Sequence, residues 1–362
     1  MPRALEPHYS WIAGGIALAI LYGSFYPFGF YLHHDPRGPV GVLLSSGFRA
    51  ASRDDVAANI LLYIPFGFFA ALAVERRKIA AIVGATLAGL ALSLIVELGQ
   101  FYDAGRYQEI SDLCSNTLGA LLGAIAAVAV RRRVSSIYVV LLLACWFGSR
   151  CYPTALPVPV SSTLALDLFR FFTAWLAVGF MLEALIGGSR SRAGLPLFLA
   201  VSLLIRALTV NVEPAEVAGG TAAALLWSGW LWRLNTRAKI VAGLFVALIV
   251  LLALAPFHFS AIPRAFGWLP FRSFLAAPTE TAIRVFFEKA FLYGGMIWLM
   301  VRAGLSIAAA AGLGGILVFG LRLLQVYLPG RSAEITDATL LLMLAAMLKL
   351  LELAPETRPD SA

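Results

Sequence analysis

Charge is scarce in this sequence. Asp, Glu, Lys and Arg make up only 13% of the 362 residues, against 60% hydrophobic, and the mean hydropathy is +0.84. A soluble chain of this length needs a polar surface around its core, and there is too little polar material here to make one. Cysteine is scarce as well. Cys114, Cys145 and Cys151 give neither a disulfide framework nor metal-ligand spacing, and they read as small apolar residues in helix packing. The four histidines are scattered, and the pair His33-His34 reads as a loop pair rather than a metal site. There is no metal-binding motif, no activated serine or cysteine arrangement and no glycine-rich phosphate loop. No cofactor or metal is therefore expected, and motifs give no support to an enzymatic reaction.

Long apolar runs are what the chain has in plenty. A bilayer-spanning helix needs about 20 mostly apolar residues, and such runs recur from end to end. The fold class expected is all-α, a polytopic transmembrane helical bundle of about twelve spans. The runs are 11–30, 56–74, 79–102, 111–130, 137–152, 164–186, 195–210, 215–232, 240–256, 281–301, 305–327 and 336–353. The first lacks a small-residue cleavage site and ends in FYPFGF, so it reads as a retained helix.

The formal charge of +8 does not point to nucleic acid, because the basic residues cluster in short connections: ERRK (75–78), RRR (131–133), SRSR (189–192) and RLNTRAK (233–239). The alternate connections, YDAGRYQE, TALPVPVSS and NVEPAE, are poor in positive charge. The positive-inside rule then puts both termini in the cytoplasm and the second set of connections outside. Two outer segments, 41–52 and 265–277, mix aromatics with arginine and read either as interfacial segments or as loops packed over the bundle. Arg170, Arg284 and Lys289, near span ends, are expected to snorkel.

The chain also repeats itself. QFYDAGRYQEISD, from Gln100, aligns without a gap on QVYLPGRSAEITD, from Gln325, and NILLYIPFGF aligns on KAFLYGGMIW through Tyr63 and Tyr293. A fainter copy lies between them, where FGSRCYP echoes YGSFYP and EVAGGTAAALL echoes DLCSNTLGALL. Three tandem four-helix units are expected, 1–134, 135–238 and 239–362.

The residues YGSFYPF, NILLYIPFGF, SLIVELGQF and RYQEISDLCSNTLGALLGA together resemble the VanZ-like family of bacterial membrane proteins. The family's pattern falls on Asn59, Pro65, Phe66, Gly67, Glu97, Gln100, Arg106, Glu109, Asp112, Asn116, Thr117 and Gly119. It extends over residues 11–130, partially over 240–353, where the Asn-Thr-x-Gly element has become LLLM, and weakly in between. The resemblance implies a multi-pass protein of the bacterial inner membrane, in the cell envelope, linked to low-level resistance to the glycopeptide teicoplanin. It supplies no reaction.

These residues make a polar island in an oily chain. On a helix Ser93, Glu97 and Gln100 share one face, as do Asp112 and Asn116 on the next. An ionisable residue inside a span costs about 2.5 to 3.5 kcal/mol on insertion scales. One reading is a pocket for an outer-leaflet headgroup or a lipid-linked cell-wall precursor, formed by Asn59, Glu97, Gln100, Arg106, Asp112 and Asn116, with Arg331 and Asp337 at the repeated positions. Arg106 would suit phosphate or carboxylate, and Glu97 with Asp112 acid–base work. The other reading is structural. Arg206 and Arg322 stand at the positions equivalent to Glu97, so Glu97 would pair with one of them. Glu109 and Asp112 would cap a helix, and SDLCSNTLGALLGA would be a helix-packing surface. Three functions compete: binding of membrane lipid or precursor, multi-span transport, and chemistry on a lipid headgroup.

Overall fold

The computed structural model describes residues 7–32, 34–47, 53–74, 78–104, 106–130, 136–151, 163–209 and 212–353. The RRR cluster, the TALPVPVSS segment, His33, residues 48–52 and the first three residues of ERRK lie outside the described residues. The described chain is helical, with no strands and only two isolated bridges, Phe30 with Asp103 and Gly267 with Glu334. The helices are α1 (Pro7–Phe25), α2 (Gly38–Ser46), α3 (Arg53–Ala73), α4 (Lys78–Gln100), α5 (Ile110–Val130), α6 (Ile137–Cys151), α7 (Leu164–Ile186), α8 (Gly188–Thr209), α9 (Pro214–Gly229), α10 (Arg237–Leu254), α11 (Arg272–Ala276), α12 (Thr279–Arg302), α13 (Ile307–Leu324) and α14 (Thr336–Leu353).

Seven of these, α3, α4, α5, α7, α8, α10 and α13, are long and apolar enough to cross a membrane. The molecule is an all-α membrane bundle. Each expected span falls on a helix, but several do not meet the same standard, for visible reasons. α6 and α9 are short, at 15 and 16 residues. α12 carries Glu280, Arg284, Glu288, Lys289 and Arg302, and α14 carries Asp337, Lys349 and Glu352. The two outer segments hold the short helices α2 and α11.

The helices turn apolar side chains outward. On α4, Ile79, Leu87 and Ile95 are 79%, 58% and 58% exposed, a surface that water would penalise and acyl chains accept. Inward, small residues set the spacing. A Cβ added to Gly119 or Gly123 of α5 would collide with the main chain of α3 at Ile60 or Ile64, so these helices touch backbone to backbone.

The described residues divide into two compact units, one within 1–134 and from 350 onward, the other within 135–349. In the first, α3 packs against α1, α4 and α5. In the second, α7 packs on α6, α8, α9 and α10, while α12 packs on α6, α10 and α13. That second unit therefore runs through the expected boundary at 238, because α6 and α12 lie against each other.

Candidate functional site

The site of the first unit is built where α4 ends and α5 begins. Ser93 and Glu97, one turn apart on α4, are 0% and 1% exposed. Glu97 Oε2 accepts the Glu109 N–H at 3.0 Å, and the Gln108 side-chain amide donates to the Glu97 carbonyl at 2.7 Å. The loop is thereby strapped to the helix it has just left. Glu109 accepts the N–H groups of Asp112 and Leu113 at its carbonyl, and its carboxylate accepts the Ser111 hydroxyl at 3.0 Å. It opens α5 as a cap would. One turn into α5, Asn116 donates to Ser93 Oγ at 3.0 Å, and Asn59 of α3 lies beside the Asp112 carboxylate.

Negative charge accumulates here. Glu97 lies in the field of Asp112 and Glu109, and Asp112 in that of Glu109 and Asp55. Among the described residues no ion pair reaches Glu97, Glu109 or Asp112. Arg206 and Arg322, the partners that a structural role for Glu97 would require, are taken elsewhere: Arg206 pairs with Glu216 and Arg322 with Asp337. Three further polar groups end without partners. Tyr63 Oη approaches Ser93 Oγ without closing a hydrogen bond, and Asn116 Oδ1 and Gln108 Oε1 have no donor. Tyr63, Asn116 and Gln108 are 1%, 5% and 5% exposed, so water does not readily replace what is missing.

Arg106 and Gln100 stand apart from this cluster. Arg106 is exposed and spends one Nη on the Tyr26 carbonyl at 3.2 Å, which leaves most of its fork open. Gln100 is half-buried and holds the turn through its main chain, its carbonyl accepting the Asp103 N–H at 3.0 Å.

The equivalent residues of the second unit are closed. Asp337 is fully buried; its Oδ1 accepts Lys289 Nζ at 2.6 Å and its Oδ2 the Tyr293 hydroxyl at 2.5 Å. Arg322 pairs with it too and donates to Tyr293 Oη at 3.0 Å. Arg331 directs Nε and Nη2 at the Ala255 carbonyl, at 3.0 and 2.7 Å. Burial, and secondarily the nearby Arg322, pull the Arg331 pKa below the ordinary guanidinium value. Both Arg331 and Asp337 are thus engaged by the protein itself. Lys289 does not snorkel, being held by Asp337, and Arg170 instead meets Glu288 at 2.7 Å.

Residues 16–131 match the VanZ/LLP1 family model. The matched span covers all of the first cluster and none of the Asp337 network. No curated protein and no solved structure matches the chain. Within the VanZ-like unit, the sequence points to Asn59, Glu97, Asp112 and Asn116, and the fold brings them together. It does not single out Tyr63 or Gln108 as members of the site. Tyr63 carries a signal, since it is the residue that aligns with Tyr293. Gln108 carries none beyond its place in a polar loop.

Proposed function

We propose that this is an integral membrane protein of the bacterial cell envelope whose VanZ-like unit binds an outer-leaflet lipid headgroup or a lipid-linked cell-wall precursor. The observation that carries the reading is the uncompensated acidic cluster, Glu97 with Glu109 and Asp112, beside Tyr63 Oη and Asn116 Oδ1, which lack partners. Glu97 is buried and Glu109 and Asp112 are half-buried, and carboxylates so placed without counter-charge, next to orphaned acceptors, are costly unless a ligand supplies donors. An ammonium group supplies both donors and charge. Arg106, with its fork open near the same loop, suits the phosphate of such a headgroup. The ligand class is then a zwitterionic amine-bearing headgroup, or an amine-bearing precursor. Holding a precursor in this way would lower susceptibility to glycopeptides.

The reading includes an orientation, with this loop outside the inner membrane and both termini in the cytoplasm, supported by the distribution of basic connections. It also includes a tandem origin of the chain, supported by the alignment of residues 100–112 on 325–337. The test is lipid extraction of the purified protein followed by mass spectrometry. An amine-bearing envelope lipid should co-purify with the wild type and be depleted in Asp112→Asn and Glu97→Gln. Equal recovery from all three proteins would remove the cluster as the binding site.

A further inference from the structure

A polar cavity lies inside the 135–349 unit, at one end of α6, α7, α10 and α12. Its polar lining is Ser149, Arg150, Arg170, Arg284 and Glu288, set among Trp146, Phe291 and other apolar side chains. The arginines come from the last or first few turns of their helices. Arg150 is in the last turn of α6, Arg170 six residues into α7 and Arg284 five residues into α12. At about 1.5 Å per residue they sit within roughly 10 Å of the helix ends, the depth of headgroups and their linkage to the acyl chains.

Positive charge is in excess. Three guanidiniums and one carboxylate line the cavity. Glu288 is already taken by Arg170, at 2.7 Å. Arg150 goes to Glu216 at 2.6 Å, but Glu216 also serves Arg206. Among the described residues Arg150, Arg170 and Arg206 thus draw on two carboxylates, with the exposed Glu213 at the rim, 3.8 Å from Arg150. Arg284 is the one left over. Among the described residues it makes no hydrogen bond or ion pair, and its Nε is buried without a partner. A guanidinium held in this way favours an anion that can meet its planar fork. The free volume of about 30 Å³ seats roughly two water-sized oxygen atoms.

We propose that this cavity takes a phosphate oxyanion, inserting two of its oxygens between Arg284, Arg170 and Arg150, with Ser149 as a neutral donor and Trp146 and Phe291 as the apolar wall. The ligand is a phosphate group, borne by an anionic lipid or free. The site shares no residue with the acidic cluster of the first unit and stands or falls separately from it.

The test uses the full-length protein in detergent, with two probes. Native mass spectrometry would count bound phosphatidylglycerol, and thermal unfolding would be followed against added inorganic phosphate. Arg284→Gln should weaken binding of the effective probe roughly tenfold or more, the loss expected for charge-assisted hydrogen bonds. Arg284→Lys, which keeps the charge without the fork, should fall between the two. Arg302→Gln, an exposed cation at the opposite end of α12, should bind as the wild type does. Loss of phosphatidylglycerol with no response to phosphate assigns a lipid headgroup; a phosphate response lost in Arg284→Gln assigns the free ion. Should Arg284→Gln not fold, a wild-type level of binding in Arg284→Lys overturns the proposal. Binding of neither probe, or undiminished binding in Arg284→Gln, overturns it as well.

Discussion

The loop after α4 and the loop after α13 are built with the same main-chain bonds and opposite electrostatics. Asp103 donates to the Gln100 carbonyl and Leu328 to that of Gln325, both at 3.0 Å. Arg106 donates to Asp103 and Arg331 to Leu328, both at 3.4 Å through their main-chain N–H groups. Tyr31 reaches the Tyr102 carbonyl and Ser260 that of Tyr327. Each arginine side chain also holds the carbonyl that precedes a cis proline, at Tyr26 and at Ala255. The charges set around the aspartate differ. Glu97 corresponds to Arg322, and Asn59 to Lys289, while Asp112 corresponds to Asp337. One loop neutralises its buried aspartate with two cations and a tyrosine; in the other the half-buried Asp112 lies among acids. The same set of main-chain bonds is therefore compatible with a buried charge neutralised internally and with an acidic cluster that no described cation meets.

The largest effect should come from breaking the satisfied side. Asp337→Ala strands Lys289 and Arg322 in a buried network, at a cost of about 3 to 5 kcal/mol, and thermal unfolding in detergent should show severe destabilisation or loss of folded protein. Asp112→Asn removes a carboxylate from a repulsive set and should leave unfolding unchanged or raise its midpoint. If both variants were equally destabilised, the two loops would not differ in the way their charges indicate.

Next in size is disruption of the shared packing beneath the first site. Gly123→Leu forces α5 away from the α3 main chain at Ile64, and overpacking of this kind costs about 1 to 3 kcal/mol. Both stability and lipid co-purification should fall together, unlike in Asp112→Asn, where only binding should fall. Unfolding midpoints and extracted lipid, measured on the same preparations, separate the cases.

Much of this contrast is legible in the sequence. The gapless alignment places Gln100 on Gln325 and Arg106 on Arg331, and it shows the change from Glu97 to Arg322. Periodicity puts Ser93 and Glu97 on one face because that is a property of a single helix. What periodicity does not supply is partners. Lys289 and Asp337 are 48 residues apart, on helices whose mutual rotation no local rule fixes, so Lys289 reads as a snorkelling lysine. Arg170 and Glu288 are 118 apart, and the same reasoning misses their pairing. The cavity at Arg284 is invisible for the same reason: each of its arginines, taken singly, is a charged residue near a span end.

A charge transplant should disturb stability less than the overpacked helix does. Glu97→Arg places a guanidinium where Arg322 stands in the second unit, with Asp112 as its natural partner. The variant should fold with near wild-type stability and lose the co-purifying amine lipid, since the transplanted cation would occupy the ligand's place. Retention of that lipid would show that Glu97 lies outside the binding site. Orientation is checked alongside it by single-cysteine labelling after the native cysteines are replaced: cysteines at Ala104 and Ala333 should react with an impermeant reagent added outside, and one at Ala193 should not.

The smallest effect on stability, and the sharpest on function, is expected where the first unit is rewritten in the polarity of the second. Ser93 and Asn116 form a buried hydrogen-bonded pair; the aligned residues are Val318 and Leu341, 1% and 0% exposed. The double change Ser93→Ala with Asn116→Ala removes donor and acceptor together and adds no volume, so it strands neither member of that pair and overpacks nothing, and such replacements are nearly neutral. It also removes the orphaned Asn116 Oδ1. Unfolding should move by less than about 1 kcal/mol. If Asn116 Oδ1 accepts from the ligand, co-purification of the amine lipid should fall even though every carboxylate of the cluster remains. Full retention of the lipid would instead confine recognition to Glu97, Glu109 and Asp112, and leave Ser93 with Asn116 as a strut between α4 and α5.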